Sequence, residues 1–286
     1  MRLLMLTAGT GSGHASVSDG LTDALGAYAG AGLEVITAAP LGNAVNRCYG
    51  WMLTRAPRLW GACYAASNQA TLGRATTRLL HLRQGRNMRD LVNEVQPDAI
   101  VSVHALCTQL ALRCLREIRK DIAVFNVITD LMDIHRSWVA AGVDLYFAGT
   151  EDAARAIEAL GVPSDRIVVL GIPLRRQFWP GNGAAPHRMA GLAGTLEDGF
   201  PRSSHRLRVL ALDGGVPGPQ LPQVVDTLSG AGISMDIVVG WGGAEPPRPA
   251  HKLVGANRAS VRHLALGEPI SPHMSKADLV ITKAGS

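Results

Sequence analysis

Acidic side chains are missing from a long stretch of this chain: none occurs between Glu34 and Asp90. The same stretch carries Arg47, Arg55, Arg58, Arg74, Arg78, Arg83, Arg86 and Arg89, interleaved with Tyr49, Trp51, Trp60 and Tyr64. An acid-free, arginine-rich span dotted with interfacial aromatics suits an anionic membrane surface, a nucleic acid, or a solvated pair of helices. Cysteine is scarce as well. Cys48, Cys63, Cys107 and Cys114 have no CxxC spacing, which excludes a disulfide scaffold and is expected to mean buried free thiols in a reducing compartment. No run approaches the roughly 20 apolar residues of a membrane-spanning helix. The amino terminus lacks a signal-peptide pattern, because Met1–Thr7 reads as a short strand that runs straight into a glycine turn. A cytoplasmic protein is the expectation.

The nucleotide fingerprints are also incomplete. Leu3–Leu25 reads as a buried strand, a turn containing Gly9, Gly11 and Gly13, and an amphipathic helix. Glycines at that junction allow a tight turn close to a ligand, and the helix aims its free N–H groups back at the turn. A dinucleotide fingerprint needs a third glycine where this chain has His14, and an acid where it has Thr37-Ala38-Ala39. A P-loop needs Gly-Lys-Ser/Thr, which is absent. Neither NAD nor ATP is therefore the expected ligand, and no metal or cofactor is expected. Read alone, the turn fits equally a tight strand–helix connection capped by His14.

With 286 residues, 47% hydrophobic and 18% charged, the chain has room for two α/β domains. Strand-like runs alternate with helical ones. Expected strands are 32–37, 99–103, 122–128, 145–148 and 167–170. Helices are expected over 107–120 and 150–160, with a helical region over 43–90 interrupted near Pro57 and Gly73. Such alternation predicts a doubly wound parallel sheet. The stretch 180–205 mixes Gly, Pro, Ser and charge and is read as a linker between a domain at 1–179 and a second at 206–286. The second domain is expected to hold strands at 208–212, 233–239, 263–266 and 279–282, with a helix at 222–228. It reads as cut off at its carboxyl end.

Four segments carry a more specific signal when taken in order: GTGSGHASVSDGL, QPDAIVSVHALCTQLALRCLR, VITDLMDIHRSWVAAGVDLYFAGTEDAARAIEALGVPSDRIVVLGIPLRRQF and ADLVITKAG. Together they resemble the monogalactosyldiacylglycerol synthase family and the related bacterial processive diacylglycerol glucosyltransferases. The resemblance implies an α/β GT-B fold, two Rossmann-like domains facing a cleft, here with the second domain truncated. It implies an inverting, metal-independent hexosyltransferase that moves sugar from UDP-galactose or UDP-glucose to diacylglycerol. Such an enzyme would sit peripherally on the cytoplasmic face of a membrane, held by anionic lipids, with no nucleic acid involved. The competing reading is a non-catalytic lipid-surface-binding relative with an incomplete donor domain.

Under the resemblance, His14 and Asp130 are the candidates for the catalytic base and its orienting partner, with a plain helix cap as the alternative for Asp130. Gly11, Gly13, His104, His135 and Trp138 are assigned to the acceptor side. Trp138 reads equally as core, and His104 equally as a hydrogen-bonded structural residue. Gly214, Gly215, Gly240, Lys283, Ala284 and Gly285 fall on the donor side. Val216-Pro217-Gly218-Pro219 stands where the family has a longer glycine loop, and proline removes amide donors. Arg47, Trp51, Arg55, Arg58, Trp60, Arg74 and Arg78 are the expected membrane contacts.

Overall fold

The computed structural model describes residues 1–9, 12–29, 32–179, 206–213, 220–241, 251–254 and 259–282. The described residues divide into two compact units, one within Met1–Arg175 and the other beginning at Arg176.

In the first unit, β1 (Arg2–Leu6) leads to α1 (Ser12–Tyr28) and β2 (Glu34–Ala38). Three helices follow: α2 (Gly42–Arg55), α3 (Pro57–Ser67) and α4 (Ala70–Val95). Then come β3 (Ala99–Ser102), α5 (Ala105–Ile118), β4 (Ala123–Val127), β5 (Leu145–Ala148), α6 (Glu151–Ala159) and β6 (Ile167–Val169). The sheet order is β2-β1-β3-β4-β5-β6, and every pairing is parallel. Successive side chains of a strand point to opposite faces, and here both faces are covered. Leu3 and Met5 of β1 pack with Val17 of α1. Leu4 and Leu6 join the larger core formed with Met88 and Val92 of α4 and Leu110 and Ala111 of α5. Helix α5 buries Cys107, Leu110, Ala111, Cys114 and Leu115, the spacing of one helical face.

The helical region breaks where expected at Pro57, which takes the first helical position of α3. The second break falls at Asn68–Gln69 instead of Gly73. Gly73 stays inside α4 and backs onto α3, where an added Cβ would lie 2.7 Å from the Ser67 carbonyl oxygen. That glycine serves close approach of two helices. The thiols also divide: Cys107 and Cys114 are buried, but Cys48 and Cys63 are exposed on α2 and α3.

In the second unit, β7 (Leu207–Leu212), α7 (Gln220–Gly230), β8 (Met235–Gly240), β9 (His251–Val254), β10 (Ala259–His263), α8 (Ser271–Met274) and β11 (Leu279–Thr282) build a five-stranded sheet of order β11-β7-β8-β10-β9. It is not wholly parallel: β9 runs antiparallel to β10. The strand expected at 263–266 lies earlier, at Ala259–His263. Its buried Ala259 and Val261 alternate with Ser260 and Arg262, so a search for a continuous apolar run passes over it. Val209, Ala211, Ile237 and Val239 form the centre of this unit's core with Leu221 and Val225 of α7.

Candidate active site

In an open α/β sheet, sites form beyond the carboxyl ends of strands where the strand order reverses. In the first unit that point lies between β1 and β3, since the chain leaves β1 for β2 on one side and returns to β3 on the other. His14 stands in the first turn of α1, just after β1. His104 follows β3 and occupies the N-cap position of α5. Asp130 follows β4. The sheet therefore gathers three of the sequence-selected residues at one edge.

The two imidazoles touch edge to face, with ring centroids 4.8 Å apart and planes at 76°. His14 is half-buried, and its Nδ1 lies 2.8 Å from the Val103 carbonyl oxygen. A carbonyl can only accept, so Nδ1 carries the proton and Nε2 keeps its lone pair. Thr129 Oγ1 lies 3.3 Å from the same Nδ1. Burial lowers the His14 pKa below the ordinary imidazole value, although the Val103 carbonyl and the nearby Asp130 carboxylate pull the other way. His104 is pushed down to about 3, first by burial and then by the neighbouring His14. Its Nδ1 is buried without a hydrogen-bond partner among the described residues. Both rings are thus neutral near pH 7. His14 can accept a proton through Nε2, and Asp130 favours the cation that would result.

Trp138 is 3% exposed. Its indole N–H donates to Asp130 Oδ2 at 2.7 Å, so the ring combines core packing with a hold on the carboxylate. The 3-10 turn that contains it, Arg136–Trp138, is tied to the sheet and to α5. Asn126 Nδ2 donates to the Trp138 carbonyl at 2.8 Å, and Gln109 Nε2 donates to the carbonyls of Ser137 and Val139, both at 3.0 Å. Thr108 in turn donates to Asn126 Oδ1 at 3.2 Å. His135 is 7% exposed, and both its nitrogens are engaged within the protein. Nδ1 accepts from the Ser137 backbone N–H at 3.1 Å, and Nε2 lies 3.2 Å from the Tyr64 carbonyl oxygen.

Sequence reasoning did not single out Tyr49 and Tyr64 as parts of the site. The structure links Tyr49, Trp60, Tyr64 and His135 as a chain of rings, with successive centroids 4.8, 6.1 and 4.5 Å apart. Burial raises both phenols, and the charge on Asp130 raises them further, so this aromatic wall stands beside the carboxylate. The Trp60–Tyr64 spacing of one helical turn was the signal that could have found it. Of the expected membrane contacts, Arg47, Trp51, Arg55, Arg58 and Arg78 are exposed and Trp60 is half-buried. The side chain of Arg74 lies outside the described residues.

Gly13 belongs to the first turn of α1 instead of the loop before it. Gly11, Gly214, Gly215, Lys283, Ala284 and Gly285 lie outside the described residues. The strands that lead into the last five, β7 and β11, are parallel neighbours, and they flank the point where the second sheet reverses its order. Gly240 ends β8, and its open side is taken by Leu212 Cδ2, 2.7 Å from where a Cβ would stand.

The family model for monogalactosyldiacylglycerol (MGDG) synthase matches residues 19–174. The chain belongs to the MGDG synthase family. The matched segment contains His104, Asp130, His135 and Trp138 and begins five positions after His14. Among relatives, MGDG synthase 3 of Arabidopsis thaliana is 26% identical over 186 residues, covering 62% of this chain and 40% of the relative. The processive diacylglycerol β-glucosyltransferase of Bacillus cytotoxicus is 30% identical over 93 residues, 32% of this chain and 23% of the relative. The chain thus spans about 40% of the length of the plant synthase it matches. Two solved structures share the fold. Acinetobacter baumannii MurG has a TM-score of 0.53 at 12% identity, covering 99% of this chain and 72% of its own. Staphylococcus aureus MnaA with UDP has a TM-score of 0.56 at 13% identity, covering 99% and 74%. Two Rossmann-like units, one with a wholly parallel sheet and the other parallel except for β9, matched along almost their whole length, give this MGDG synthase family member the GT-B fold.

Proposed function

We propose that the protein is an inverting glycosyltransferase that moves a hexose from a UDP-sugar to diacylglycerol at a membrane surface. The observation that carries this reading is His14: a neutral imidazole at the switch point, its Nδ1–H held by the Val103 carbonyl. Inversion is a single displacement at the anomeric carbon. The glycerol hydroxyl loses its proton to His14 Nε2 as the C–O bond forms, and the bond to the nucleotide diphosphate breaks. Asp130, oriented by the Trp138 indole, stabilises the imidazolium. General-base assistance of this kind contributes on the order of 10²–10⁴-fold. The donor is assigned to the carboxyl ends of β7 and β11, where loop amides and helix N-termini can take up diphosphate charge without a metal.

The acceptor is insoluble, and no helix among the described residues is long and apolar enough to cross a membrane. The reading therefore puts the exposed arginines of α2–α4 on anionic headgroups, at about 1 kcal/mol each near such a surface. Exposed Trp51, Leu59 and Tyr64 on α2 and α3 would lie at the level of the headgroups.

The test is sugar transfer by the full-length protein from UDP-galactose and UDP-glucose to diacylglycerol in anionic vesicles. A glycolipid product is expected with one of the two donors, with inverted anomeric configuration by NMR. No product from either donor would overturn the reading.

A further inference from the structure

Helix α3 buries none of its residues, yet it lies against the turn that holds Asp130. The contacts that attach it to that turn are polar and concentrated at its carboxyl end. His135 Nδ1 accepts from the Ser137 N–H, so the ring proton is on Nε2, which faces the Tyr64 carbonyl at 3.2 Å and Ser67 Oγ at 3.3 Å. The Arg136 N–H donates to Asn68 Oδ1 at 2.8 Å, and the Tyr64 and His135 rings lie 4.5 Å apart. On its other side the turn is fastened to the sheet by Asn126 and to α5 by Gln109. Between these fastenings, the Trp138 indole grips Asp130.

We propose that His135 and Asn68 are positioning residues: they lock α3 to the Asp130 turn and so set the height of the lipid-facing helix relative to the catalytic pair. The inference rests on the membrane-surface reading above. A helix held by full hydrophobic burial would tolerate the loss of two hydrogen bonds, but α3 is half-buried at most, with Trp60 packed on Tyr49. Its register against the turn depends on these bonds. A lipid hydroxyl presented by a surface reaches His14 only if the surface sits at the correct height. A dispersed acceptor carries no such requirement.

Two variants separate the outcomes. His135→Asn keeps a side-chain acceptor for the Ser137 N–H, as an N-cap asparagine does, but cannot reach α3. Asn68→Ala removes the second tie. In both, turnover on diacylglycerol in anionic vesicles should fall by between about 10- and 100-fold, the cost of a misplacement near 1 Å, while vesicle co-sedimentation stays at the wild-type level. Asn68→Ala should keep the wild-type rate on short-chain diacylglycerol dispersed below its micellar limit. Independently of activity, amide exchange across Pro57–Ser67 should accelerate in both variants and stay unchanged in α5. Unaltered exchange in α3, or wild-type rates of Asn68→Ala on vesicles, would overturn the proposal. So would a His135→Asn loss that is equal on vesicles and dispersed lipid. If the wild type transfers no sugar while α3 exchange responds as stated, the catalytic reading fails and the tie stands.

Discussion

His14 and His104 lie ring against ring and are neutral for the same first reason, burial, but they are equipped differently. His14 has one nitrogen tied to a carbonyl and the other available. Replacing it with Ala should lower turnover on the order of 10²–10⁴-fold with little change in vesicle affinity. Because its pKa is lowered, the wild-type rate should hold through neutral pH and drop on an acid limb that lies below the ordinary imidazole value of 6.5. His104 has a linked consequence for stability. Its folded pKa of about 3 lies below the unfolded value, so the folded state disfavours its proton. That contribution is fully present above about pH 6.5 and is lost as pH falls from there toward 3. Acidification to pH 5 should cost about 2 kcal/mol from this residue. His104→Phe should reduce the fall in denaturation midpoint between pH 7 and pH 5, measured by urea titration.

Beyond Gly13 in its first turn, helix α1 contains Gly20 and Gly26, whose helix propensity is the same and whose surroundings are opposite. An alanine is worth about 1 kcal/mol over glycine inside a helix. At Gly26 an added Cβ meets nothing within 4 Å, so Gly26→Ala should stabilise by about 0.5–1 kcal/mol. At Gly20 it would lie 2.8 Å from the Leu174 carbonyl carbon and 3.0 Å from its oxygen. Backbone cannot swing aside as a side chain can, and overpacking of this kind costs about 1–3 kcal/mol, which outweighs the propensity gain. Gly20→Ala should lower the melting temperature and Gly26→Ala should raise it. Gly20 also explains how Pro173 and Leu174 lie against the opening helix: without a Cβ at that position the two backbones can approach closely.

Across the first unit, the acid-free surface makes a charge-reversal experiment direct. Arg55, Arg58 and Arg78 are exposed on α2, α3 and α4. Changing all three to Glu should weaken binding to anionic vesicles by several kcal/mol at low salt, with the difference shrinking as ionic strength rises. Co-sedimentation at two salt concentrations reads both effects. Secondary-structure order was legible in the chain because the central strands β1 and β3 are short, largely apolar runs buried almost throughout. β9 and β10 were not. One pairs antiparallel, and the other hides its apolar face in alternation with Ser260 and Arg262. His14, His104 and Asp130 were legible as residues at strand ends. Their grouping was not, since 90 positions separate His14 from His104. Only the β2-β1-β3-β4 order brings them together. The roles of Trp138 and His135 were written nowhere in the residue types. A tryptophan three positions after the buried His135 is as compatible with plain core as with gripping a carboxylate, and a histidine is as compatible with binding as with tying two elements. Local periodicity and composition are properties of neighbours in the chain, so they settle elements, class and the basic face. Which nitrogen is held, which carboxylate is gripped and which helix lacks a core of its own depend on contacts between residues far apart in sequence, and those come into being only when the sheet closes.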